Sequence, residues 1–476
     1  MFLDIDRKDP DSKAIIDGNG LEITYGELCG FSDDFSDCIG KRSLIFILCE
    51  NCVGAASAYI ASLSKRIVPL LLSEKLDTAS LNNFINTYRP EFIWAKSSNA
   101  RDFGEPVWER YGFSLIKTGL EPFPLYSELS LLLPTSGSTG TPKLVRHSYN
   151  NVESNARKVS SFFELDKNER PMLDSPIHYT YGLSILSSHI YAGASVLLTS
   201  ATVLNNDYWD FFKSNKATSI TGVPYTYELL KKLRFFRMNL PSLRTISQGG
   251  GKLSDNLFAE LAQYSHNTGK RFVPTYGQTE GTARMTGLPS EYTREKCGSI
   301  GKAIPGGETL LLDENGNEIK EPGKIGELVF KGSNVTLGYA TCGDELIKGD
   351  ERNGILNTGD LAKMDEDGFL YITGRKSRFL KLWGTRVGLD ETEFLIKEKF
   401  GVECACTGDD DKMKIFVLTA DIKEAVKEYV ATKTHINPIA FEVIAIEAFP
   451  RNDAGKILYS SLRKNEISLL KGETKI

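Results

Sequence analysis

Apolar and polar positions along this chain alternate in blocks of two kinds. Short, nearly continuous apolar runs at residues 44–48 and 67–72 bracket a longer stretch of small and apolar residues at 53–63. Short apolar runs between polar boundaries are the pattern of strands covered on both faces, and the longer stretch between them reads as a buried helix. Residues 196–199 and 219–223 continue the theme. Strands and helices that alternate in this way predict parallel α/β layers. From about Gly298 the texture changes: Asp313-Glu-Asn-Gly316, Glu321-Pro-Gly323 and Asp365-Glu-Asp-Gly368 cut the chain into short segments. Glycine turns at such intervals favour a small antiparallel or barrel-like unit. The residues after Gly374 mix strands such as 414–418 with helices such as 390–399, which predicts a final α+β unit. No internal repeat, coiled coil or low-complexity linker interrupts the pattern.

Composition narrows the function classes. A chain of 476 residues is long enough for about three domains. Its formal charge of −5 is too small a field to call for nucleic acid or an anionic membrane. Lys231, Lys232, Arg234 and Arg237 read as a solvated helix face. Residues 1–10 are charged and lack the apolar core of a signal peptide, and no later run approaches the ~20 apolar residues of a membrane span. A soluble, cytoplasmic monomer or homodimer with no membrane span is expected. The eight cysteines are too sparse for a disulfide scaffold. Cys49 and Cys52 form one CxxC with no second, and Cys404 with Cys406 is only CxC, so buried free thiols are expected rather than metal or redox chemistry.

The strongest local chemistry lies in Leu131-Leu-Leu-Pro-Thr-Ser-Gly-Ser-Thr-Gly-Thr-Pro-Lys-Leu-Val-Arg-His-Ser148, where a strand empties into a loop of hydroxyls and glycines carrying one lysine. Glycines let backbone N–H groups point into a concavity, hydroxyls add donors, and Lys143 adds charge, a combination suited to a polyphosphate. The common P-loop places lysine directly after its last glycine, whereas here Thr141 and Pro142 intervene. Taken alone, the segment also fits a serine- and glycine-rich turn without a function.

Further segments follow in order: Ile23-Thr-Tyr-Gly-Glu-Leu28, Ser247-Gln-Gly-Gly-Gly-Lys252, Pro274-Thr-Tyr-Gly-Gln-Thr-Glu-Gly281, Asn357-Thr-Gly-Asp-Leu361, Gly374-Arg-Lys-Ser-Arg-Phe-Leu-Lys-Leu-Trp-Gly-Thr-Arg-Val387 and Pro450-Arg-Asn-Asp-Ala-Gly-Lys456. This ordered set, spanning nearly the whole chain, resembles the adenylate-forming superfamily of acyl-CoA synthetases, adenylation domains and luciferases. The resemblance implies an α/β fold: a large N-terminal domain of two α/β subdomains plus a small β-barrel (residues 1–374), and a small mobile α+β lid (residues 378–476). The hinge is expected at Ser377, where relatives usually carry aspartate or lysine.

The resemblance also implies residue roles that fit their chemistry. Thr135, Ser136, Gly137, Ser138, Thr139, Gly140 and Lys143 are expected to hold the phosphates of ATP. Gly249, Gly250 and Gly251 remove side chains where backbone passes a nucleotide and an acyl group. Tyr276, Gly277 and Gln278 lead into Thr279, a hydroxyl for the α-phosphate, and Glu280, a hard oxygen ligand for Mg²⁺. Asp360 is expected to accept the ribose hydroxyls, with Arg375 on ribose or phosphate. Lys456 matches the lysine that relatives insert between carboxylate and α-phosphate, where an ammonium offsets two anions being brought together. Lys381 and Gly384 fall in the segment that relatives place beside a thiol tunnel.

Substrate residues are read from Ser175-Pro-Ile-His-Tyr-Thr-Tyr-Gly-Leu183, which matches a segment that sets an aromatic ring or histidine against the acyl group. Counting back from Gly182 favours Tyr179 over His178, with Val223 across the pocket. Thr180 stands where amino-acid-activating relatives carry aspartate, so a standard α-amino acid is not expected, although Asp174 lies upstream. Arg284 either faces a second anionic group of the substrate or forms a structural ion pair. His147 and His266 are expected on surfaces, His189 packed, and His435 in a turn. The implied reaction joins a small carboxylic acid to AMP and then to a thiol, of coenzyme A or of a phosphopantetheinyl acyl carrier protein. No Gly-Gly-x-Ser or Asp-Ser-Leu carrier site is present, so any carrier is expected to act in trans. A luciferase-like second step and a non-catalytic nucleotide or acyl binder are the rival readings.

Overall fold

The computed structural model of the chain describes residues 1–134, 143–383, 385–453 and 455–463. Two large mixed sheets form its bulk. In the first, Val68–Ser73, Leu44–Cys49 and Phe92–Lys96 run parallel, and Leu129–Pro134 joins them beside Val68–Ser73. The two central strands are the predicted apolar runs, buried at every position except Ser73. In the second sheet, Lys13–Asp17, Val196–Leu198, Pro171–Leu173, Ser219–Gly222, Thr245–Gln248 and Arg271–Tyr276 are parallel neighbours.

The helix Val53–Ser64 explains how the sheets come together. All but its last residue are buried, and its core cluster contains Ile45 and Ile47 of one sheet with Ile15, Val196 and Leu198 of the other. Gly54, Ala55, Ala56 and Ala58 keep the helix thin enough to lie between two β surfaces at close-packed density. Each large aliphatic side chain buried there contributes about 1.5–3 kcal/mol. The first family-like segment has a local cause as well. Thr24 accepts from the Glu27 N–H and the Glu27 carboxylate accepts from the Thr24 N–H, a capping box that starts the helix Tyr25–Ile39.

Parallel strands deliver their following loops to one edge. In the second sheet Gly222 is level with Gln248, and Gln248 with Pro274. Val223, Gly249–Gly251 and the residues after Tyr276 therefore emerge side by side at the carboxyl ends of the strands, where open α/β sheets bind ligands. In the first sheet Pro134 pairs with Leu144. The phosphate-loop residues Thr135, Ser136, Gly137, Ser138, Thr139 and Gly140 lie outside the described residues, as does Gly384.

The turn-rich region is antiparallel, as expected, but its described strands do not close a barrel. Gly307–Leu312, Ile325–Gly332, Ile355–Met364 and Leu370–Arg375 form an open four-stranded sheet in that order. Its apolar face, with Leu311, Leu328, Ala362 and Leu370, packs with Tyr276 and Ile300. A neighbouring unit covers that face, so closure is not needed to bury it. Residues from Phe379 onward build separate cores: a hairpin, the helices Leu389–Phe400 and Lys423–Thr434, and a three-stranded sheet pack Leu382, Ile396, Cys406, Ile415 and Val426 together. The eight cysteines are free, and burial raises the thiols of Cys49, Cys52, Cys404 and Cys406. Among the described residues no helix is long and apolar enough to cross a membrane.

Candidate active site

The Tyr276–Glu280 segment is shaped by a fold-back that only glycine permits. A Cβ on Gly277 would lie 1.5 Å from the Ala283 carbonyl oxygen. Beyond this contact Thr282 and Ala283 adopt φ of 51° and 75°, left-handed conformations that ordinary residues avoid. Thr282 Oγ1 donates to the Asn334 carbonyl at 2.7 Å and Asn334 Nδ2 donates to the Gly281 carbonyl at 2.8 Å, which together hold the bend. The bend presents Glu280 to Tyr339, whose hydroxyl donates to Glu280 Oε1 at 2.7 Å. Lys143 Nζ sits 3.3 Å from the centre of the Tyr339 ring, and Arg352 lies 4.6 Å from it. One phenol thus ties the lysine of the phosphate loop to the acid of the second motif. Burial and the adjacent carboxylate push the Tyr339 hydroxyl up to about 12, so it stays a donor.

Asp360 pairs with Arg375 across neighbouring strands. Its Oδ1 accepts from Arg375 Nε at 3.1 Å and its Oδ2 from the Tyr276 hydroxyl. Burial raises the Asp360 carboxyl above the usual range, against the pull of Arg375 and Tyr276. Gln278 Nε2 donates to the Thr358 carbonyl at 3.1 Å, which closes this corner. Both oxygens expected to meet a ribose are therefore held by protein donors in this structure.

The glycine segment forms the cleft's other side. Gly250 has φ of 76°, and a Cβ there would meet Val223 at 3.1 Å and Lys456 Cε at 3.7 Å. Lys456 comes from the C-terminal unit, on a turn in which Asn452 Oδ1 accepts from the Lys456 N–H and Arg451 donates to the Gly455 carbonyl. Arg451 lies 4.1 Å from the Tyr225 ring centre, Asp453 accepts from Ser73 Oγ at 3.1 Å, and Lys397 reaches Glu228 at 2.7 Å. These contacts hold the C-terminal unit over the cleft. Lys456 keeps contact with solvent, but surrounding protein moves its ammonium below the ordinary lysine value, and Arg375 adds to this while Glu280 and Asp360 oppose it. Lys381 stays on its own hairpin, with its N–H donating to Asp410 at 2.9 Å.

Among the described residues, the structure brings Lys143, Tyr276, Glu280, Asp360, Arg375, Gly249–Gly251 and Lys456 around one cleft and gives Lys381 no contact with it. His178 and Tyr179 lie together, ring centres 4.5 Å apart, and His178 Nε2 is 3.9 Å from Asp453. Burial lowers His178 to about 4, so the imidazole is neutral. Gly182 lets the helix Thr180–Ala192 start against the preceding loop, since a Cβ would lie 2.5 Å from the Pro176 carbonyl. Two residues went unread in the sequence. Tyr339 carries no local pattern beyond one Gly-Tyr step, and Tyr181, which lies on Gly249, was hidden by the choice between its neighbours. Arg284 is 3% exposed and forms no ion pair among the described residues, so the structural pairing considered for it is not made. His147, expected on a surface, is fully buried in the strand Leu144–Ser148 because this strand lies between two others in the first sheet.

These residues fit a Mg²⁺-nucleotide. The glycine segment is a wall with no side chains, three cations face the cleft, and Glu280 offers one hard oxygen while Tyr339 holds the other. Magnesium bound with phosphates needs only one or two protein carboxylates. Among known proteins, the chain is 28% identical to a long-chain-fatty-acid–CoA ligase of Escherichia coli O157:H7, over 84% of this chain and 72% of that protein. It is 27% identical to 2-succinylbenzoate–CoA ligase of Oceanobacillus iheyensis, over 83% and 82%. Its fold is similar to that of o-succinylbenzoate CoA synthetase (MenE) of Bacillus subtilis bound to the acyl-adenylate OSB-AMP, with TM-score 0.79, 23% identity and coverage of 99% of both chains. Another structure of that enzyme holds ATP and a magnesium ion, with TM-score 0.78, 22% identity and coverage of 97% and 98%. The family profile described as AMP-binding enzyme matches residues 4–340, and the chain belongs to that family.

Proposed function

We propose that the chain is an AMP-forming acid–thiol ligase that activates a small carboxylic acid as its acyl-adenylate and passes the acyl group to coenzyme A. The observation that carries this reading is Lys456: the C-terminal unit brings it to Gly250, close enough to Glu280 and Asp360 for both carboxylates to act on its charge. In the first step a carboxylate oxygen attacks the α-phosphorus, the bond to pyrophosphate breaks, and an acyl–phosphate anhydride forms. Lys456 offsets the repulsion of two anions, a role worth roughly a hundred- to thousand-fold in rate. Lys143, with Thr135, Ser136, Gly137, Ser138, Thr139 and Gly140, would hold the phosphates. Thr279 would meet the α-phosphate, and Tyr276 and Gln278 would border the adenine. Glu280 would hold Mg²⁺, which shields the phosphates when bound.

In the second step the thiol sulfur attacks the acyl carbon, its proton passes to solvent, and AMP leaves. The proposed domains are 1–374 and 378–476, with Ser377 between them. Lys376 is tied to the large unit through the Gly359 carbonyl and Glu327, whereas Arg378 is tied to Asp390 and Glu393 of the other. One residue thus separates two anchors, which supports a pivot there. Lys381 and Gly384 would serve the thiol after rotation. The relatives named as CoA ligases favour coenzyme A over a carrier protein. The test is carboxylate-dependent pyrophosphate release in Lys456→Ala, expected to fall at least a hundred-fold; unchanged release sinks the mechanism.

A further inference from the structure

The acyl side of the cleft contains a buried cation without a counter-ion. Arg284 is 3% exposed, and among the described residues no carboxylate is seen to act on it. Its guanidinium carbon is 5.2 Å from the centre of the Tyr181 ring and 4.9 Å from that of Phe163. Its Nε is buried and makes no hydrogen bond, and the polar group that acts on the guanidinium is the buried hydroxyl of Tyr181, a phenol rather than a carboxylate. His189 also acts on this charge, but burial lowers its imidazole to about 3, so it is neutral and brings no anion. An arginine cannot discharge itself by losing its proton. Burying an unpaired ion is destabilising, and stacking on two rings offsets only part of this.

The pair borders the glycine wall of the cleft. Tyr181 lies directly on the glycine wall: a Cβ on Gly249 would be 2.8 Å from its ring and hydroxyl. The next residue, Gly250, adjoins Lys456. A path therefore runs from the reacting end of the cleft at Lys456, along the wall, to Tyr181 and Arg284. The bend at Thr282 and Ala283 starts this side chain inward, and Asn155 Nδ2 holds the Arg284 carbonyl at 2.9 Å.

We infer that the acid is a short dicarboxylic acid, activated at one carboxylate while Arg284 and Tyr181 hold the other. This rests on the adenylating reading of the same cleft. The Arg284 N–H groups and the Tyr181 O–H donate to the far carboxylate, and the charge that no carboxylate of the described residues meets becomes paired in the complex. Acids with an apolar end leave the charge buried without an anion, which discriminates strongly against them.

The experiment measures pyrophosphate release by the full chain with malonic, succinic and glutaric acids, their monomethyl esters, and monoacids of matched length. A preferred diacid is expected, with kcat/KM about 100-fold above that of its own monoester. Arg284→Met should lower kcat/KM for the diacid about 100-fold and leave the monoester within a few-fold, and Arg284→Lys should recover part of the loss. Tyr181→Phe, which keeps the ring, should lower the diacid alone, about 10-fold, and serves if the arginine variants do not fold. Equal rates with diacid and monoester, or equal losses on both in the variants, overturn the inference while leaving the ligase reading intact. Absence of release with every acid overturns both.

Discussion

At the scale of single residues, the cleft works through shared partners. Tyr339 touches Lys143 with its ring and Glu280 with its hydroxyl, so removing the hydroxyl frees the carboxylate but keeps the ring under the lysine. Tyr339→Phe is expected to raise the Mg²⁺ concentration giving half-maximal pyrophosphate release about 10-fold, the cost of one hydrogen bond to a charged group, with little change in KM for the acid. A Mg²⁺ titration checks this, and an unshifted curve would mean that Glu280 needs no positioning. Lys456 sets a pH dependence. In the proposed role it acts as a cation, and its ammonium is held below the ordinary lysine value by surrounding protein and Arg375. Adenylation is therefore full at lower pH and falls as pH rises through this lowered value, earlier than an unperturbed lysine would dictate. A pH–rate profile of pyrophosphate release should carry this alkaline limb, and Lys456→Arg should move it beyond the measurable range.

At the scale of elements, the sequence was legible where structure follows from neighbours along the chain. The runs at 44–48 and 67–72 appear as Leu44–Cys49 and Val68–Ser73, and the stretch between them as the helix Val53–Ser64. Glycines 316, 323 and 368 take φ of 83°, 82° and 80°, which is why their turns could be read. Contacts between distant segments left no such trace. His147 follows Arg146 and precedes Ser148, a polar run that reads as surface, yet Arg146 is itself fully buried on Glu351 and the Tyr339 carbonyl. Tyr181 and Arg284 meet although they are far apart in sequence, and no spacing rule connects them. The link between the two proposed domains was marked by motif alone, and it makes its own prediction. Between the anchors at Lys376 and Arg378, Ser377→Pro restricts one φ and should slow only steps that need rotation. Pyrophosphate release in a single turnover should stay near the native rate, while thioester formation with coenzyme A falls at least 10-fold. Equal effects on both half-reactions would remove Ser377 as the pivot.

At the scale of the whole molecule, burying the core has left ionisable groups in forms they would not take in water, and these set its response to acid. His147 is lowered to about 4 and His189 to about 3, both chiefly by burial, and an unfolded histidine titrates near 6.5. Between these values the unfolded chain binds protons that the folded chain does not, so stability falls as pH drops below about 6.5 and continues to fall toward pH 4. For His147 alone the difference amounts to about 3 kcal/mol, a large part of the 5–15 kcal/mol typical of folded proteins. Asp174 works in the opposite sense: burial raises it to about 7, so the folded chain binds its proton first and gains stability as pH falls from 7 to about 4. His178, lowered to about 4 by burial, adds to the histidine side, and the raised Asp360 adds to the carboxyl side. His147 borders a cavity of about 10 Å³, and its ring meets only the pull of the Thr279, Val145 and Leu131 backbone, weaker than its burial, so leucine fits the site at little cost. His147→Leu should therefore match or exceed the native melting temperature at pH 7.5 and lose less of it by pH 5. Direct measurement of proton uptake on unfolding near pH 5.5 should find close to one proton fewer in the variant. An unchanged uptake would mean that His147 is already protonated in the folded chain, with an unseen partner inside the sheet.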